Sequence, residues 1–381
     1  MPLDHGRILT THVGSLPRPQ DVSDMLYARG RDEAVDEAVF DAAVAAAVID
    51  VVARQKQAGV DIPSDGEMSK ISYATYVSER LTGFSGDSPR RVPADLMLVP
   101  RYAQRLSKGG GTPTYRRPCC TGPITVRSMA PLEADLARFR TALDAAGYTR
   151  GFMNAAAPGV IVLFQPNQHY ASDDAYFDAL SAAMAVEYRG IVAAGLQVQI
   201  DSPDLGLGKH MMYADLDEAG FLKRLGAHVV ALNAGLAGIP RDRVRLHVCW
   251  GNYEGPHVLD IPLARILPTV LQINAGHLSF EAANPRHAHE WAVFRDIAIP
   301  EDTVLMPGVL DSTTNYVEHP DLVAERLLRF ADLVGRERVF ASSDCGFSTF
   351  AGFGTVDPDV VWMKLESMAE GARRASAKLW G

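Results

Sequence analysis

The run RVRLHVC, residues 243–249, alternates apolar and polar residues and closes on a histidine and a cysteine two positions apart. On a β-strand, residues i and i+2 share a face, so the His247 imidazole and the Cys249 thiol project into one space. By itself such a pair is more often core packing than a ligand pair. Two further residues change the balance: Glu281 follows LSF and Cys345 follows VFASSD, each at the end of a later apolar run. One imidazole, two thiolates and one carboxylate make a complete tetrahedral donor set for zinc. Ser15, Glu67, Asp201, Asp311 and Asp344 also stand where such runs end.

These side chains can meet only if the runs that carry them lie side by side. Short β-branched runs alternate with Ala-rich amphipathic segments along nearly the whole chain, which implies βα units and a parallel sheet. The spacing predicts strands over 8–14, 60–64, 151–154, 197–201, 244–249, 276–281, 303–307 and 338–342. Helices are predicted over 38–58, 174–194, 216–237, 321–334 and 359–375. Eight strands predict an α/β fold of the closed (β/α)₈ TIM-barrel type, read as a single domain over 1–381. In such a barrel the functional groups gather at the C-terminal ends of the strands. Residues 84–127, rich in Gly, Pro, Ser and Arg, interrupt the alternation. They predict a long insertion between the second and third strands, a hairpin or lid over the mouth.

Composition narrows the functional class. Forty-seven per cent apolar residues and 22% charged supply a large core, which excludes disorder. Lys plus Arg number 37 against 46 Asp plus Glu, and the resulting −9 has the wrong sign for a generic binder of nucleic acid or anionic membrane. Cys119, Cys120, Cys249 and Cys345 are too few for a disulfide framework and point to thiol or metal chemistry in a reducing cytoplasm. MPLDHGRILTT does not read as a signal peptide, and the most apolar helical stretch, 42–53, is well short of the roughly 20 residues of a membrane span.

TTHVGSLPRP, DGEM, PITV, QIDSPDL, HVCWGNY, FEAANP, PGVLD and SSDCGFST stand in the order and approximate spacing of motifs in the catalytic domain of cobalamin-independent methionine synthases. From about residue 8 onward the chain resembles that domain and looks like a short, single-barrel member. The resemblance implies a methyltransferase acting on the sulfur of homocysteine, with Zn²⁺ held by His247, Cys249, Glu281 and Cys345. It further implies that the turn at Gly14 and Ser15 takes the homocysteine carboxylate, and that Glu67 and Asp201 take its ammonium. An anionic ligand set makes zinc a poor activator of water but a good holder of a nucleophilic thiolate.

Two departures fall on the donor side. Where the family carries a histidine to protonate the folate leaving nitrogen, this chain has Thr313, leaving Asp311 as the nearest candidate acid. Where the family stacks a tryptophan on the pterin, the equivalent here is Phe164. The expected donor is therefore methyl-tetrahydrofolate or another methyl or alkyl carrier. A thiol alkyltransferase resembling epoxide:coenzyme M transferases is the alternative, and a metal-free lyase resembling uroporphyrinogen decarboxylases a more distant one. His287 and His289 are not expected to form a second metal site, because on a helix they would diverge by about 200°.

Overall fold

The computed structural model describes residues 5–89, 91–108, 116–352 and 354–381. Strands β1 (Phe84–Ser85) and β2 (Cys119–Cys120) form a small antiparallel ribbon. A curled parallel sheet follows in strict chain order: β3 (Phe152–Ala156), β4 (Gln197–Asp201), β5 (Val244–Val248), β6 (His277–Phe280), β7 (Val304–Leu310) and β8 (Ser342–Ser343). Parallel neighbours need a crossover, and helices supply most of them. Helix Asp173–Ala193 links β3 to β4 and starts on Ser172, whose hydroxyl accepts from Ala175 N. Helix Glu218–Gly235 links β4 to β5 and starts on Asp217 in the same manner. Helix Pro320–Val334 links β7 to β8, and helix Pro358–Trp380 follows β8.

The first two expected strands are extended segments rather than regular ones. Thr11 N donates to Ala341 O and Ala341 N to Leu9 O, both at 2.8 Å. Asp61 N and Ile62 N share Thr10 O as acceptor, and Phe152 N donates to Pro63 O. Residues 8–12 and 60–64 thus lie hydrogen-bonded between β8 and β3. The irregularity has a local cause: the Asp61 carboxylate captures Thr10 N at 2.9 Å, a donor that a ladder would have used. The last expected strand, 338–342, is corrected too. Arg336–Arg338 is a 3₁₀ turn, and regular pairing with β7 is confined to β8 with a register shift between Gly308 and Leu310.

Within 84–127, the ribbon encloses helix Pro100–Lys108, while the Gly109–Gly111 run lies outside the described residues. Near its end, Val126 forms a single antiparallel bridge with Leu81. This excursion is fastened to the loop after β5: Tyr102 Oη donates to Glu254 O at 2.6 Å, and Asp95 accepts from Tyr253 Oη at 2.8 Å and His257 N at 2.7 Å. Among the described residues no helix is long and apolar enough to cross a membrane.

Inside the sheet, Leu9, Ile62, Phe152, Val304, Met306 and Phe340 form a small apolar cluster near the strand beginnings. Above it the Arg245 guanidinium lies 3.6 Å from the centre of the Phe152 ring and donates to Thr11 Oγ1 and His12 O. The interior therefore turns polar along β5 in steps of two residues, from Arg245 to His247 to Cys249.

Candidate metal centre and thiol site

His247 ends the interior face of β5, Cys249 lies just past that strand, and Cys345 lies two residues past β8. Cys345 Sγ is 3.5 Å from His247 Nε2, and one donor atom from each of His247, Cys249 and Cys345 lies within 4.8 Å of the others, all three residues being buried. His247 Nδ1 faces Ser279 Oγ at 3.2 Å, which orients the ring and leaves Nε2 directed at the sulfurs. Burial, reinforced by the Arg245 charge, lowers His247 to about 3, so it is the neutral imidazole that can ligate. The hydrogen bond to Cys249, burial and the acids Glu281 and Asp344 hold the Cys345 thiol well above its ordinary range. Buried soft donors crowded this closely, with acids beside them, fit a divalent cation of zinc's type.

Glu281 stands on the wall of the same cavity but outside the three-residue cluster. Its Oε1 accepts from Trp250 N at 2.7 Å and its Oε2 from Asn284 Nδ2 at 2.6 Å, which fix the carboxylate while each oxygen keeps a free lone pair. Sequence reading noted Asp344 only as a polar strand end; its contacts reveal more. Asp344 accepts from Ala282 N, Ala283 N and Asn284 N at 2.8 Å and from Asn284 Nδ2 at 3.1 Å. The residue before Cys345 thus anchors the turn that follows Glu281. A Cβ at Gly308 would come 2.0 Å from Asp344 Oδ1, so β7 must carry a glycine there.

Gly14 and Asp201 meet at Asn154, while Ser15 and Glu67 are tied through the turn after Cys345 and Arg18. Gly14 has φ +139°, and a Cβ there would lie 2.2 Å from Asn154 Oδ1. Ser15 O accepts from Phe347 N at 2.9 Å and Ser15 Oγ from Ser348 N at 3.4 Å, placing it against the turn after Cys345. Arg18 joins the same turn to Glu67, donating to Ser348 O and Glu67 O. Asp201 accepts from Asn154 Nδ2 at 2.8 Å and Gln199 Nε2 at 3.1 Å. Burial raises Glu67 to about 7, with Asp201 adding to the rise, and burial raises Asp201 to about 6. Glu67 Oε2, Asn154 Oδ1 and Gln199 Oε1 are buried without a hydrogen-bond partner among the described residues. Asn154, Gln199 and Arg18 were missed in the sequence, since none belongs to a pattern of ligand spacing.

The remaining candidates lie to the sides. Phe164 closes helix Pro158–Phe164, with the edge of Tyr73 at 5.6 Å and the Arg117 guanidinium at 5.5 Å from its ring. Asp311 accepts from Thr313 N, Thr313 Oγ1 and Thr314 Oγ1 at 2.8–2.9 Å, the pattern of a turn-forming Asx rather than of a proton donor. Between these turns opens a cavity of about 340 Å³ bordered by Asn252, Glu281, Asn284, Thr313 and Cys345.

The model of the cobalamin-independent synthase catalytic domain matches residues 8–95 and 114–372. A methionine synthase of Sulfolobus acidocaldarius is 27% identical over 346 residues, covering 88% of this chain and 85% of the relative. That of Saccharolobus solfataricus is 26% identical over 371 residues, covering 96% and 93%. The structure of a B12-independent methionine synthase from Shewanella sp. W3-18-1, in complex with selenomethionine, superposes with a TM-score of 0.74 at 17% identity, covering 98% of this chain and 99% of that one. That likeness is one of fold.

Replacing Asp344 by alanine removes the acceptor of four N–H groups in the turn after Glu281. Each buried donor left unpaired costs about 1–3 kcal/mol, so the variant is expected to lose at least about 3 kcal/mol in urea denaturation. An unchanged midpoint would show that water replaces the carboxylate there.

Proposed function

This chain belongs to the cobalamin-independent methionine synthase family and is a methyltransferase, and we propose on that premise that it methylates the sulfur of homocysteine with zinc held by His247, Cys249, Glu281 and Cys345. The observation that carries the proposal is the buried cluster of one imidazole and two thiols. Bound there, zinc supplies the positive charge that keeps an incoming thiol deprotonated near neutral pH and still nucleophilic. Glu281 is the fourth ligand, aimed by Trp250 N and the Asn284 amide. The scaffold in this proposal is one closed (β/α)₈ barrel over residues 1–381, with 8–14 and 60–64 in the place of its first two strands and 84–127 inserted before the third. A reducing cytoplasm suits the four free thiols, Cys119, Cys120, Cys249 and Cys345.

The chain's own residues bind and orient the substrate's amino-acid end. Gly14 and Ser15 offer a turn and a hydroxyl to its carboxylate. Glu67 and Asp201 pair with its ammonium, which relieves the cost of two acids buried near each other. Coenzyme M brings no ammonium, so these acids favour an amino-acid thiol. On the donor side Thr313 cannot protonate a leaving nitrogen and Asp311 is engaged in its own turn. The preferred donor is then one that leaves without that proton, such as a methylcobamide or another alkyl carrier, with methyl-tetrahydrofolate slower.

Cys345→Ser is expected to lose most of its zinc and all thiol transfer while the far-ultraviolet circular dichroism stays that of the wild type. Stoichiometric zinc in both Cys249→Ser and Cys345→Ser proteins would end the assignment. Asp201→Asn is expected to weaken homocysteine binding by about 2–5 kcal/mol with metal content unchanged. Because Glu67 and Asp201 sit near 7 and 6 in the folded chain, they hold protons more tightly folded than unfolded. Ionising them costs stability as pH rises through that window, and homocysteine offsets the cost. Homocysteine affinity should accordingly fall between pH 8 and pH 6, and a flat titration would count against the ammonium site. At saturating homocysteine, Thr313→His should raise turnover with methyl-tetrahydrofolate toward the ~10²–10⁴ that general acid catalysis supplies. Fast turnover by the wild type with no gain in the variant would refute the account of the donor.

A further inference from the structure

Beside the thiolate centre, three imidazoles from three different loops converge on the carboxylate of Asp260. Asp260 Oδ2 lies 2.8 Å from His257 Nδ1 and 2.9 Å from His287 Nε2, and Asp260 Oδ1 lies 3.2 Å from His210 Nε2. The side chains of His210, Asp260 and His287 are only 2–3% exposed and that of His257 12%. One donor atom each from His257, Asp260 and His287 falls within 4.8 Å of the others. The expectation that His287 takes no part in a metal site considered only its neighbour His289. The groups that face it across this cluster are 27 residues and more away in sequence, and the tertiary fold alone brings them together.

We propose that His210, His257, Asp260 and His287 form a second metal site, for a divalent ion of zinc's borderline softness, distinct from the thiolate centre. The separations support it. Edges of a tetrahedron with bonds of about 2.0–2.1 Å measure about 3.4 Å, a few tenths of an ångström more than the 2.8 and 2.9 Å from Asp260 Oδ2 to His257 Nδ1 and His287 Nε2, while His210 Nε2, 3.2 Å from the other carboxylate oxygen and outside that three-residue cluster, would have to move in as the fourth donor. The outward nitrogens support it as well. His287 Nδ1 faces Glu290 Oε2 at 2.7 Å and His257 Nε2 faces Tyr253 O at 3.1 Å, whereas His210 Nδ1 has no hydrogen-bond partner among the described residues. A metal-bound histidine commonly donates its other N–H to a carboxylate or carbonyl, which fixes the tautomer and the ring. The burial of the fourth group is a third observation. His210 Nε2 and Asp260 Oδ1 lie 3.2 Å apart, both buried, and neither atom has a partner other than the other among the described residues. An ion placed between them would satisfy both.

Such an ion would brace the thiolate centre from outside. It would join His210 after β4, the 253–260 loop after β5 and His287 after β6. Trp250 stacks on His287 at 4.2 Å and directs its backbone N–H to Glu281. Asp95 fastens the 84–127 excursion to the same loop.

The test loads the full chain with zinc, removes loose ion on a chelating resin and counts metal by mass spectrometry. Two zinc per chain are expected in the wild type, one in the Cys249→Ser/Cys345→Ser variant and one in the His257→Gln/His287→Gln variant. In cobalt-loaded protein, the double-cysteine variant should lose the thiolate charge-transfer band and keep the ligand-field bands of a tetrahedral nitrogen and oxygen site. One zinc in the wild type, lost entirely with the two cysteines, would overturn the second site and leave the thiolate centre standing. One zinc in the wild type that survives loss of both cysteines would instead support the second site and refute the first. Should the histidine variant not fold, the cobalt spectrum of the double-cysteine variant decides alone, and the absence of ligand-field bands overturns the proposal.

Discussion

The buried carboxylate of Asp344 is the interaction on which the site depends. It precedes Cys345 at the end of β8 and takes the N–H groups of the turn that follows Glu281 at the end of β6. Two segments 60 residues apart are thereby held at one relative position, and with them two of the side chains assigned to the metal. β7 lies between these strands and carries Gly308, whose missing Cβ makes room for the carboxylate. A charge shared among backbone donors positions ligands more rigidly than a flexible side-chain pair, because the donors belong to the main chain itself.

The interior divides by polarity in a way that follows from this. Near the strand beginnings an apolar cluster and the Phe152 ring support Arg245. Toward the strand ends three of the buried polar atoms without partners, Glu67 Oε2, Asn154 Oδ1 and Gln199 Oε1, lie on the side assigned to the substrate amino acid. Leaving them unpaired costs free energy, which a ligand that paired with them would offset. The raised values of Glu67 and Asp201 express their burial, which the neighbouring Lys70 charge offsets only in part at both acids.

The donor side is organised on different terms. Thr313 and Asp311 satisfy each other within one turn, and Phe164 is packed against Tyr73 and Arg117. The 84–127 excursion, joined through Asp95 and Tyr102 to the loop after β5, sits where it can shape that second cavity wall.

Local periodicity sufficed for whatever depends on consecutive residues. The helices expected over 174–194 and 321–334 stand at Asp173–Ala193 and Pro320–Val334, and the two-residue step of a strand put His247 and Cys249 on one face. The tertiary structure alone decided the rest. The Asp61 carboxylate and the Thr10 hydroxyl, meeting across 51 residues, occupy backbone groups that a regular ladder would have paired. Asn154 and Asp344 carry no spacing signal because their partners lie 47 and 60 to 62 residues away. His210, His257, Asp260 and His287 belong to three loops whose meeting depends on the curl of the sheet. Alternation is written into neighbouring residues, whereas convergence is set by how distant segments pack, and only the folded chain determines that.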